Sequence, residues 1–564
     1  MYFKQLCRHM LAALTIFIAA LAAFSQQASP NFNRPRTYDV QNYIIRVSFD
    51  RSKKTVFGDT TVELKPLAGA FTTAELDAIG MNFDSVTLGD GPGLKYRTAG
   101  GKIIVTLDKP YTPNDTVSIR FKYSTTPKKG VYFVDELSMP GQDVQPPQIW
   151  SQGESEEARY WFPSFDFPSD KATSEEFITA DAGETVIANG ELIEQTPNEN
   201  GTVTWHYKMP IPYSTYLTSF VVGKYVKVAD SYGDLPLGFY VYPGKEPIAR
   251  TAFGRTKDMI QAFEELTGVK FPYNKYDQTI VRGFQFGGME NITATTLADT
   301  EVFFAATDFG QATVQDLVSH ELAHSWFGDM VTCKNWSELW LNEGFATFME
   351  AAAREKLYGR DSYIRKVASD ADQAMADDEV TRRRHALVNM LAKPDDSLFD
   401  TTTYQKGGAV IHTLRETVGD DAFWKAINIY LNRHKFANVD SSDLQQAMEE
   451  ASGKDLKWFF AQWVYSAGVP KLTVRQVYSP RTKTLKLTVT QTQKLDKIVP
   501  AAFVLPMDLE IKTAKGVRTE DLNITKRAQV FSIKVDGKPL AIKLDKDFEI
   551  PLKAVKIEPL TVGR

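Results

Sequence analysis

A chain of 564 residues with 43% hydrophobic and 24% charged side chains can bury several cores, about three or four domains by length alone. Its net charge of −5 gives no electrostatic footprint for nucleic acid or an anionic membrane surface. With only two cysteines, Cys7 and Cys333, a disulfide framework is excluded.

Residues 1–25 read as an export signal. Lys4 and Arg8 form a positive start, and Met10–Phe24 is an apolar run shorter than a comfortable membrane span. Ala23, Phe24 and Ser25 then suit a signal peptidase. Cleavage would remove Cys7 and take the net charge from −5 to −7. The expected product is periplasmic or secreted, with no stable membrane association.

Residues 35–229 carry period-two patterning. Tyr43, Ile45, Val47 and Phe49 alternate with polar residues, as do Val117, Ile119, Phe121 and Tyr123. Turn signals such as Gly89-Asp90-Gly91-Pro92-Gly93 separate the runs, so an antiparallel β domain is predicted. Over 230–467 the period becomes helical: Met259, Ile260, Phe263 and Leu266 make one stripe, and Ser441 or Ser442 is expected to cap a helix carrying Leu444 and Met448. After Gly468 and Pro470, Leu472 and Val474, then Leu485, Leu487 and Val489, alternate again. Residues 468–564 are therefore predicted as a small β-sandwich, and the fold class as α+β and multidomain.

The helical region holds the chemistry. Gly287-Gly288-Met289-Glu290-Asn291 places two glycines, which let backbone approach a ligand closely, just before a glutamate on an edge strand. Further on, His320 and His324 are four residues apart in an HExxH pattern, so a helix stacks both rings on one face within reach of one ion. Eighteen residues separate His324 from Glu343, enough for a loop and a return helix to bring a third ligand. Three N/O ligands and an open fourth position describe a catalytic zinc, one per chain. Glu321 projects toward the open position, where it can take a proton from zinc-bound water.

These motifs, with Ser151-Gln152-Gly153-Glu154 and Tyr404-Gln405-Lys406-Gly407, resemble the M1 family of zinc aminopeptidases, which includes aminopeptidase N and leukotriene A4 hydrolase. The resemblance runs over roughly 42–489, and Gly288 stands where the family pattern usually has alanine. It implies a thermolysin-like catalytic domain over 230–467. Gln152, Glu154, Gly287, Gly288, Met289 and Glu290 would bind substrate, with Glu290 and Glu154 holding a free α-ammonium. Tyr404 would donate to the oxyanion. The implied activity is removal of the N-terminal residue from peptides. Family members commonly carry a large helical domain after the small β domain, whereas this sequence ends at Arg564. A wide, wet cleft is expected, unless a second copy in a homodimer supplies the wall. Three other readings stay open: a thermolysin-type zinc endopeptidase, a non-catalytic peptide-binding protein, and an epoxide hydrolase. The last is disfavoured by Phe399, which stands in place of a second tyrosine.

Overall fold

The computed structural model describes residues 34–138, 144–307, 310–380 and 384–563. The export signal expected over 1–25 lies outside them. Among the described residues, no helix is long and apolar enough to cross a membrane.

The alternating residues of the N-terminal third form a seven-stranded sheet. In spatial order its strands are Glu191–Pro197, Thr202–Tyr213, Ala172–Asp181, Tyr38–Asp50, Thr55–Pro66, Val117–Thr125 and Met81–Leu88. Tyr43, Ile45 and Val47 point into its core, as their period-two spacing requires. All pairings but one are antiparallel. Tyr38–Asp50 runs parallel to Ala172–Asp181, with Ile45 opposite Glu176. A parallel pair needs a long crossover, and the intervening chain supplies it. Two strands of that crossover, Val131–Val134 and Gln148–Ser151, join Phe220–Gly223 and Thr185–Ala188 from later in the chain in a four-stranded sheet, ordered Thr185–Ala188, Phe220–Gly223, Gln148–Ser151, Val131–Val134. The strand Gln148–Ser151 delivers Gln152 and Glu154 at its end.

Glu176, on the strand Ala172–Asp181, is fully buried and neither carboxylate oxygen has a hydrogen-bond partner. Burial pushes its pKa up to about 8, only partly opposed by the Lys275 ammonium. The folded protein therefore holds a proton that the unfolded chain has lost between its ordinary carboxylate pKa and about 8. Stability falls as pH rises through that window. Glu176→Gln cannot ionise and should unfold at higher temperature than wild type at pH 8.5, by on the order of 1 kcal/mol of stability. The advantage should shrink toward pH 5. Equal melting at both pH values would show that Glu176 is not held neutral.

A five-stranded sheet follows: Val226–Tyr232, Leu235–Val241, Tyr276–Val281, Ala294–Ala298 and, at its edge, Gly288–Met289. Of the helices packed around it and the cleft, four bear on the site. We number them α1 (Gly310–Ala323), α2 (Trp340–Tyr358), α3 (Arg360–Asp378) and α4 (Gly407–Val418). On α1, Val314, Val318 and Leu322 recur every four residues and pack into the core, leaving His320 and Glu321 for another face. From Trp340 to Met349 every residue of α2 is buried, so it forms the axis of the helical region. The helix Ser441–Ser452 is capped not by either serine but by Asp440, in a reciprocal capping box with Asp443. An aspartate one residue earlier accepts from the Ser442 amide and leaves both serines inside the helix.

The last stretch makes two sheets. One contains Ala528–Lys534, Thr484–Gln491, Lys471–Ser479 and Ala554–Ile557, and the other Gly516–Ile524, Leu505–Thr513 and Pro539–Leu544. Their inward residues, Leu472, Val474, Leu485 and Leu509 among them, join one apolar cluster with the helical region. His412 of α4 bonds the Phe548 carbonyl at 2.8 Å across that junction.

Candidate active site

Two helices bring three donors together. His320 lies on α1, His324 follows its last residue, and their rings stand 4.9 Å apart. Glu343 comes from the first turn of α2. Its Oε2 lies 3.2 Å from His320 Nε2 and 3.4 Å from His324 Nε2. The outer ring nitrogens are tied back. His324 Nδ1 donates to the Phe327 carbonyl at 2.9 Å, and since a carbonyl can only accept, this nitrogen carries the proton. His320 Nδ1 meets Glu350 Oε1 at 2.8 Å; Glu350 in turn pairs with Lys366 of α3 at 2.9 Å, and Lys366 with Asp370 at 2.7 Å. Both Nε2 atoms are thus left facing Glu343.

This donor set fits a divalent metal. All three residues are buried and their ligating atoms lie within 4.8 Å of one another. Burial opposes charge on His320, yet its bonds to Glu343 and Glu350 carry its pKa up to about 9. Burial likewise works against ionised Glu343, but His324 and His320 hold it down at about 2. The pocket stabilises positive charge at its centre, as a cation site must.

Glu321 is buried beside the triad, and burial pushes its pKa up to about 8 although His320 and His324 pull it down. The edge strand passes close against it. A Cβ on Gly288 would stand 2.2 Å from Glu321 Oε1 and 2.7 Å from its Cγ, so the glutamate fills space that a side chain there would take. Gly287 fixes the strand by accepting from the Ala298 amide at 2.9 Å.

Beyond Met289, Glu290 turns inward to meet Glu154, and oxygens of Glu154, Glu290 and Glu343 also lie within 4.8 Å of one another. Gln152 Nε2 donates to the Met289 sulfur at 3.2 Å. Gln152 Oε1, Glu154 Oε1 and Glu290 Oε1 are buried without a hydrogen-bond partner. Burial, then Glu290 and Glu343, raise the pKa of Glu154 well above the carboxylate range. Two crowded carboxyls with unused oxygens are costly unless a cation joins them.

Tyr404 sits on a π-helical turn, Thr402–Lys406, and its ring stacks on His320 at 5.8 Å and 8°. Burial and the carboxylates of Glu343, Glu154, Glu290 and Glu321 drive its pKa up, so the phenol stays protonated and can donate. These groups line one cleft of about 900 Å³ whose far wall is α3, from Arg365 to Asp377. Each of the metal donors expected from the sequence, with Glu321, Tyr404, Gln152, Glu154 and Gly287 to Glu290, lines this cleft. The pair Lys366 and Asp370 had no sequence signal, because only the return of α3 brings them to Glu350. Glu350 itself follows Glu343 by seven residues, the two-turn spacing that puts both on one helix face.

Two family models match the chain. The peptidase M1 N-terminal domain matches residues 34–217, and the peptidase family M1 domain matches residues 251–463. Among similar proteins, aminopeptidase N of Streptomyces lividans is 36% identical over 334 residues, 57% of this chain and 38% of that protein. Aminopeptidase 2 of Candida albicans is 30% identical, covering 65% of this chain and 40% of its own. Tricorn protease-interacting factor F2 of Thermoplasma acidophilum is 29% identical, covering 77% and 54%. The chain therefore spans about half or less of the length of these relatives. The two models together take in more than half of its residues, including the metal-donor helices, the edge strand with Glu290 and the loop with Glu154, and the chain belongs to peptidase family M1.

Proposed function

We propose that this chain is a zinc aminopeptidase, holding one zinc through His320, His324 and Glu343 and releasing the N-terminal residue of peptides. Family M1 is a family of zinc metallopeptidases. When bound, zinc polarises the scissile carbonyl and acidifies a water in its open position. The rest falls to the chain's own groups. Glu321 accepts the proton of the attacking water and passes it to the leaving amine. Tyr404 donates to the carbonyl oxygen as negative charge builds there. Glu154 and Glu290 hold the substrate's α-ammonium.

The observation that carries this reading is the pair of buried carboxyls beside the triad, each with an oxygen that no protein group satisfies. An endopeptidase has no use for them. Hydrolysis of an aminoacyl-arylamide should therefore far exceed that of its N-acetylated form. Glu290→Ala should erase most of that preference, through loss of a charge-assisted bond of about 1.5–3 kcal/mol, while zinc stays bound. Equal cleavage of free and acetylated substrates by wild type would replace the reading with an endopeptidase.

Zinc affinity gives a separate check through Glu350. In Glu350→Gln the Lys366 ammonium takes the amide oxygen, so the amide nitrogen faces His320 Nδ1. That favours the ring tautomer with its proton on Nε2, where the metal should bind. Zinc affinity by chelator competition should fall about 10–100-fold. An unchanged dissociation constant would remove Glu350 from the site.

Export to the periplasm or medium is a further proposal, supported by Lys4, Arg8 and the apolar run Met10–Phe24.

A further inference from the structure

Helix α2, which bears Glu343, and the start of α4, just after the turn that bears Tyr404, meet backbone to backbone at a pair of glycines. Gly344, one residue after Glu343 on α2, faces Gly407, three residues after Tyr404 at the start of α4. A Cβ on Gly407 would lie 2.8 Å from Gly344 Cα. One on Gly344 would lie 3.0 Å from Gly407 Cα and 3.5 Å from the Thr403 carbonyl oxygen. Both sets of neighbours are backbone, which cannot swing aside as a side chain can. The crossing is at its closest approach.

The π-turn carrying Tyr404 is held at both ends. At its start, Asp400 Oδ1 accepts from the Thr402 and Thr403 amides at 3.1 and 2.9 Å, and Asp400 Oδ2 meets His385 at 2.7 Å. Within it, the Lys406 amide donates five residues back to Thr401 at 2.8 Å, the widened ring that defines such a turn. At its end stands the glycine crossing. From this fixed turn the Tyr404 ring reaches His320 and lies parallel to it, with centroids 5.8 Å apart.

We propose that Gly344 and Gly407 are positioning residues whose contact sets the distance between the Tyr404 hydroxyl and the metal donors. The inference rests on the role given to Tyr404 above. A methyl at the crossing separates α2 from the π-turn and lifts the hydroxyl away from the developing oxyanion. The geometry of the triad, which α1 and α2 set between themselves, is untouched.

The test is Gly407→Ala alone and in a Tyr404→Phe background, with zinc content, kcat and KM measured for each. Gly407→Ala should keep a full zinc and a near-normal KM and lose on the order of 10–100-fold in kcat, the cost of a misplaced group. In the Tyr404→Phe background the same substitution should cost less than about twofold, because the group it displaces is gone. Where Gly407→Ala does not fold, Gly344→Ala probes the crossing from α2, with helix propensity favouring alanine. If Tyr404→Phe alone leaves kcat intact, the role of Tyr404 fails. If it lowers kcat but Gly407→Ala does not, or if the two losses multiply, the positioning role is overturned. Loss of the fold in both alanine variants would assign the pair to the core and overturn it as well.

Discussion

Glu321→Gln should bind a full zinc and turn over peptide about 10²–10⁴ times more slowly than wild type, the usual worth of a positioned proton-transfer group. That is about 3–5 kcal/mol of barrier. The amide has the shape of the carboxylate but cannot take the water's proton. Its site is confined by the Gly288 backbone and by burial, so no other base can move into the same place. Zinc should survive because the three donors, with their ties to Phe327 and Glu350, do not include Glu321. Metal analysis alongside kcat on an aminoacyl-arylamide separates the two effects. Near-wild-type turnover at full zinc occupancy would take Glu321 out of the mechanism.

Tyr404→Phe removes one oxygen and leaves the ring stacked on His320. A donor aimed at an oxyanion acts mainly in the transition state, so kcat should drop about 10²–10³-fold, with KM little changed. The raised pKa of the phenol means that the donor form persists across the neutral and mildly alkaline range, and the loss should be similar throughout it. A rise in KM with kcat preserved would make Tyr404 a ground-state contact.

Local spacing makes the centre of this site legible in the sequence. Two histidines a helical turn apart, and a glutamate on a return helix, need only the helix period to converge. The edge strand at Gly288–Met289 was likewise signalled by its glycines, and the outer sheets by strict alternation in runs such as Tyr43 to Phe49. Contacts made by distant returns of the chain were not readable. Lys366 reaches Glu350 only because α3 folds back over α2. The parallel pairing of Tyr38–Asp50 with Ala172–Asp181 joins strands more than a hundred residues apart. The π-turn at Tyr404 depends on Asp400, His385 and the glycine crossing together, and none of these carries a period. The cap of Ser441–Ser452 lies one or two residues before the serines that the sequence offers, because aspartate caps a helix start as readily as serine.

On the proposed function, metal and amine would be held by different parts of the chain. The three metal donors belong to α1 and α2, whereas Glu154 stands at the end of a strand in the N-terminal sheets and Glu290 on the edge of the central one. On that proposal, a small slide of the N-terminal sheets over the helices would carry Glu154 away from Glu290 and loosen the grip on a peptide's end while leaving the three metal donors in place. Recognition of chain ends would then be a property of a seam, adjustable by mutations that touch neither metal nor substrate.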